Sequence, residues 1–145
     1  MSHVRKQIRD KIVDLIKAAA TDSELRVFGD RIKSLKSNEY PSVVVFCRSE
    51  TSDIFTDSPR SYQRILQVII EGCIRVSLDD QESADNKLED MAEQIESVMF
   101  ENPRLDDLSD GAVLDSKLVR TELEFATNGE LPIGVVQLTY EILYQ

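Results

Sequence analysis

Tyr62 to Val76 reads Y-Q-R-I-L-Q-V-I-I-E-G-C-I-R-V. Leu66, Val68, Ile70, Ile74 and Val76 fall on its even positions, and Gln67, Glu71 and Arg75 on its odd ones. A period of two marks a β-strand with one buried and one wetter face. The run is long for a strand, which predicts a central position with one end reaching past the body of the subunit.

Outward from this strand, the pattern alternates between strands and helices. Upstream, Ser42 to Arg48 reads S-V-V-V-F-C-R, a β-branched run predicted as a second strand with a central place. Leu25 to Phe28 predicts a short strand, ended by the turn signal Gly29-Asp30. Arg31 to Leu35 reads as a further extended piece, and Asn38 to Pro41 as a loop. At the start of the chain Val4, Ile8, Ile12, Leu15, Ile16 and Ala19 recur at helical spacing, which predicts a helix over residues 3 to 20.

Downstream, Ala84, Leu88, Met91, Ala92, Ile95, Val98 and Met99 form one stripe of a second helix, stopped by Asn102-Pro103. Asp79, Asp80 and Glu82 cluster at its start, where the helix dipole favours negative charge. Lys117 to Thr127 and Ile133 to Tyr144 alternate again and predict a closing hairpin around N-G-E-L-P-I-G. In its first strand Val119, Thr121, Leu123 and Phe125 share one face, opposite Arg120, Glu122 and Glu124.

Two stretches break the pattern. Ser49 to Ser61 reads as an irregular loop that carries Ile54 and Phe55 between polar residues. Those two either fold back on the core edge or meet a neighbouring subunit. Arg104 to Asp115 is the second irregular segment. Its carboxylates fail as a calcium loop, because Leu108 falls on a ligand position and Lys117 where a bidentate glutamate is needed.

A length of 145 residues fits one domain over residues 1–145. The expected class is α+β: a largely antiparallel β-sheet with two α-helices packed on one face. The second face carries Gln67, Glu71, Arg75, Arg120, Glu122, Glu124, Gln137 and Glu141 and is expected to be wet.

The net charge is −10 and unevenly spread. Ser77 to Asp115 holds thirteen acidic residues against Lys87 and Arg104, whereas residues 1 to 36 carry nine basic and five acidic side chains. Phosphate binding needs a dense basic patch, so a nucleic-acid surface is not expected as the main feature. The acidic block reads as a solvated helix face and loop, or as a surface that repels DNA or docks a basic partner. No apolar run is long enough to span a bilayer, and no secretory signal precedes the first helix. Cys47 and Cys73 read as free thiols and, with His3, make no zinc pattern.

Catalytic chemistry is not expected. His3 sits at the terminus without an orienting partner, Gly29, Gly72, Gly111, Gly129 and Gly134 are scattered, and no phosphate-cradling loop occurs. Carboxylate pairs such as Asp106-Asp107 read as solvated. No cofactor or metal is expected.

The order of elements resembles a known family. An amphipathic helix leads to a short strand, then P-S-V-V-V-F, an irregular loop, S-Y-Q-R-I-L-Q-V-I-I-E-G, and the acidic helix L-E-D-M-A-E-Q-I-E-S-V-M. The chain closes with L-V-R-T-E-L-E-F-A-T-N-G-E-L-P-I-G-V-V-Q-L-T-Y-E-I-L-Y. This resembles the tail terminator (tail completion) proteins of long-tailed bacteriophages over nearly the whole chain. The resemblance implies a structural phage or prophage subunit, not an enzyme. It would self-assemble as a ring, a hexamer in the family, that caps the tail tube, ends tube polymerisation and presents the surface for head attachment. Implied partners are the tail tube protein and a head-tail neck protein, with DNA only passing through the pore and no membrane. The implied location is the head-proximal end of the virion tail, and the host cytoplasm during assembly.

Carried onto this sequence, residues 49 to 61 and 128 to 134 become candidate self-association or tail-tube contacts, with Ile54, Phe55, Arg60, Leu131, Pro132 and Ile133 the residues concerned. An acidic pore wall would not adhere to phosphate. Glu71, Glu122, Glu124 and Glu141 are the candidate lumen, in competition with the block 77 to 115. Two other readings stay open: a neck or head-completion protein of the head-tail joint, and a non-phage cytosolic α+β regulatory or binding domain.

Overall fold

The computed structural model describes residues 4–20, 25–29, 40–57, 60–76, 81–106, 108–128 and 131–145, with backbone only at 53–57, 60–62, 81–82, 109–110, 126–128 and 131. The elements in chain order are α1 (Val4–Ala19), β1 (Arg26–Gly29), β2 (Ser42–Asp57), β3 (Arg60–Arg75), α2 (Gln81–Glu101), the short α3 (Leu108–Gly111), β4 (Val113–Asn128) and β5 (Leu131–Tyr144). Among the described residues five strands make one sheet in the order β1-β2-β3-β5-β4. All neighbours are antiparallel except β1 and β2, which run parallel.

The even residues of β3 build the core. Leu66, Val68, Ile70 and Ile74 face the helices beside Val43 and Val45 of β2 and Val136, Leu138, Tyr140, Ile142 and Tyr144 of β5. α1 lies over β1 and β2, and α2 over β3 and β5. The α2 stripe buries Ala84, Leu88, Ala92, Ile95, Val98 and Met99 on this layer, and α1 buries Ile8, Ile12, Val13 and Ile16. Each large side chain so buried contributes about 1.5–3 kcal/mol of transfer free energy. Two glycines let α2 come close. A Cβ at Gly72 would lie 3.0 Å from Met91 Cε, and one at Gly134 would lie 3.0 Å from Leu88 Cδ1 and 3.2 Å from Val76 Cγ2.

α2 ends where Asn102 Nδ2 donates to the Val98 carbonyl at 2.8 Å. The chain then turns through Leu105 and Asp106, whose φ angles of 50° and 57° are left-handed. Leu105 is fully buried, and Lys11 Nζ reaches Asp106 Oδ2 at 3.4 Å, which ties this turn to α1.

Several expectations change. Ser49 to Ser61 is not a loop over its described length: β2 continues to Asp57 and β3 begins at Arg60. Two register shifts, between Cys47 and Ser49 and between Ile54 and Thr56, hide the strand by breaking its alternation. Arg104 to Asp115 is likewise only partly irregular, since it holds α3 and the first residues of β4. β5 starts at Leu131 rather than Ile133, and β4 at Val113 rather than Lys117. The piece proposed at Arg31 to Leu35 lies outside the described residues.

The helix-free face is not uniformly wet. Val44, Ile69, Cys73 and Thr139 on that face are buried. They sit on the three inner strands, where register neighbours such as Phe46, Glu71 and Gln137 flank them. Conversely, the apolar side of β4 is not covered. Leu118, Leu123 and Phe125 are exposed there, because β4 is the edge strand and α2 lies inward of it. Val119, expected on the same face, is instead the extra residue at the register shift between Leu118 and Arg120, and Leu118 takes its place beside Thr121.

Candidate assembly surfaces

The first surface is a ribbon. β2 and β3 stay paired from Ser42 with Cys73 to Asp57 with Arg60. β1 covers β2 only as far as Val45, and β5 leaves β3 at the Arg64–Tyr144 pair. Beyond that rung the hairpin is two-stranded, with no partner on either edge among the described residues. Ile54 pairs with Tyr62, Arg60 pairs with Asp57, and Phe55 falls at the shift between Ile54 and Thr56. Their side chains lie outside the described residues. A lone two-stranded hairpin is marginal in water, so a ribbon of this kind gains stability from a partner.

A charged cluster holds the ribbon's base. The shift after Cys47 changes the parity of β2 and brings Glu50 onto the helix side, in register with Leu66. There Arg5 of α1 lies 3.8 Å and Arg64 of β3 3.7 Å from Glu50 Oε2. The Tyr144 hydroxyl of β5 donates to Glu50 Oε1. Burial, together with the bond to Glu50, pushes the Tyr144 phenol up to about 12. Three strands and a helix thus meet at one carboxylate. Sequence reading missed this group, because its members become neighbours only through a bulge.

Leu131, Pro132 and Ile133 form the second surface, at the start of β5. Leu131 pairs with Asn128 of β4, the half-buried Ile133 pairs with Arg75, and the Pro132 carbonyl accepts the Val76 N–H at 3.1 Å. The ribbon continues from one end of β3 and these residues flank the other. The fold therefore does not bring the two expected contact segments together. It separates them by the 16 residues of β3, about 50 Å of extended strand.

Glu71, Glu122, Glu124 and Glu141 all lie on the helix-free face. Glu71, Gln137 and Glu122 share a rung, and Gln137 Nε2 donates to Glu71 Oε1 at 2.8 Å. Glu122 pairs with Arg120, and Glu141 lies in register between Gln67 and Lys117. Glu71 and Glu141 are half-buried, while Glu122 and Glu124 are exposed. Lys117, Arg120 and Arg75 thus share this face with the carboxylates. Single-sign charge is denser on the outer side of α2, where Asp85, Glu89, Asp90, Glu93 and Glu101 are exposed against Lys87.

The fourth surface was not anticipated. Phe100 on α2 is 87 % exposed, and beside it runs the uncovered apolar side of β4. Glu93, Glu96, Met99, Phe100, Leu118 and Tyr140 line the groove between them. Alternation in the sequence correctly paired Leu123 with Phe125 but could not tell that their strand would be an edge.

Burial, aided by the charge of Glu71, pushes the Cys73 thiol up to about 12, far from thiolate formation at neutral pH. Both cysteines are free. Among the described residues no three His, Cys, Asp or Glu side chains converge as metal ligands, and no helix is long and apolar enough to cross a membrane. No protein-family model matches the chain, and no curated protein matches it in sequence.

Proposed function

We propose that this chain is a structural subunit of a phage or prophage tail, a terminator that caps the tail tube as a ring, stops its growth and offers the surface for head attachment. The observation that supports the reading is that the two candidate contact segments lie at opposite ends of one sheet. A ring grows by heterologous contact, in which one patch of each subunit meets a different patch of the next. An unsupported ribbon at one end and the β4–β5 hairpin at the other supply two unlike patches. The order of elements in the sequence supports the same assignment. In this role the protein acts without catalysis or cofactor, and DNA passes it without being bound. The exposed carboxylates of α2 then suit a surface from which phosphate must slide away.

Deletion of the gene from its phage or prophage tests the proposal. Loss of a terminator leaves tubes of unregulated length that do not join heads, and a plasmid copy restores both. Tails of normal length in the deletion strain, with only head joining lost, contradict it and favour a neck protein.

A further inference from the structure

The outer edge of β4 reads Leu118-Val119-Arg120-Thr121-Glu122-Leu123-Glu124-Phe125. Because β4 ends the sheet, its outward N–H and C=O groups have no ladder partner among the described residues. Arg120 and Glu122 share the helix-free side, on the rungs of Thr139 and Gln137. Leu118, Thr121 and Leu123 share the helix side, on the rungs of Tyr140, Leu138 and Val136.

The charges run in opposite sign about Thr121. An antiparallel copy of the same strand, reversed at that residue, sets Arg120 of each copy opposite Glu122 of the other. Residues directly opposite in an antiparallel pair share a face, so both ion pairs form on the helix-free side. The register shift between Leu118 and Arg120 takes up one residue. Leu123 then comes opposite Leu118 and Val119 of the second copy, and Glu124 opposite its Lys117. Leu123 thus meets apolar side chains on one side and cation meets anion on the other, while Phe125 comes opposite Ser116.

We propose that the free chain pairs with a second copy of itself through β4, in an isologous antiparallel contact that continues the sheet across a two-fold axis at Thr121. An edge defended against its own kind presents like charges to a copy; this edge presents opposite ones. The Arg120–Glu122 pair within one chain is exposed at both side chains, 69 % and 45 %, so exchanging it for a cross-copy pair costs little. The exposed Leu118, Val119 and Leu123 lose water in the same step. The contact concerns the chain away from any tail and does not rest on the terminator reading, whose own test is made on tails.

Sedimentation velocity on the full chain tests it. The expected result is a monomer–dimer equilibrium. Arg120→Glu alone and Glu122→Arg alone each set like charges face to face and weaken the dimer about tenfold or more. The double variant R120E/E122R restores opposite charges and recovers it. Thr121→Cys places two thiols at the two-fold axis, within disulfide range, and mild oxidation links the copies. A chain that stays monomeric, a dimer indifferent to the single reversals, a double variant as weak as either single one, or a Thr121→Cys variant that resists linking overturns the proposal.

Discussion

Glu50 shows how much a single residue can carry in this fold. It receives Tyr144 and lies close to Arg5 and Arg64, at the point where the sheet narrows to a ribbon. Because the Tyr144 phenol is held up to about 12 against an ordinary value of 10.0, the fold favours its protonated form. That stability is fully present below pH 10 and is lost as pH rises toward 12. Tyr140 is raised as well, by burial and then Glu96, and adds to the same alkaline loss. Tyr144→Phe is therefore expected to cost about 1 kcal/mol near pH 7. It should also show a shallower fall than wild type between pH 10 and 12; urea titrations at several pH values measure both effects. A second residue-scale outcome concerns the thiols. Cys47 is half-buried and Cys73 is 5 % exposed with its thiol held protonated. Iodoacetamide at pH 8, followed by peptide mass spectrometry, should label Cys47 well before Cys73; equal rates contradict the burial described.

At the scale of elements, the close seating of α2 on the sheet decides what the fold tolerates. Gly134→Val places new methyl groups against Leu88, Val76 and Phe125 and is expected to cost about 1–3 kcal/mol. Gly72→Ala meets the flexible end of Met91 first and should cost less, as thermal melts of the two variants will show. The helices, the central strand and the closing hairpin were legible in the sequence because burial on one side imposes a period that Ile8, Leu88, Ile70 and Leu138 obey. The β2–β3 ribbon was not. Its register shifts at Cys47/Ser49 and Ile54/Thr56 place consecutive residues against one partner and erase the period of two. Nor was the direction of β1: four residues, R-V-F-G, carry no signal of whether they pair parallel or antiparallel with Ser42–Val45. Of the candidate site, the helix-free placement of Glu71, Glu122, Glu124 and Glu141 followed from alternation. The Glu50 cluster and the bare side of β4 did not, because both depend on strand order and bulges.

At the scale of the whole molecule, the chain is a two-layer body with helices on one face of its sheet, an extension at one end and uncovered apolar residues along one edge. Exposed apolar side chains such as Phe100 and Leu118, which line one groove, and Leu123 and Phe125 further along the same strand mark a surface that a partner could cover. Phe100→Ser, at a residue 87 % exposed, is expected to leave the melting temperature within about 2 °C of wild type and to reduce aggregation on concentration, as light scattering would show. The proposed ring assembly through opposite ends of the sheet implies a further outcome. Removal of residues 53–62, with a short turn in their place, should leave a folded subunit that no longer restores tail length to the deletion strain. The most direct measurement is electron microscopy of purified tails labelled with gold-coupled antibody against this protein. A terminator gives gold confined to the end of the tail that meets the head; gold along the tube, at the distal tip or absent from tails altogether rules that role out.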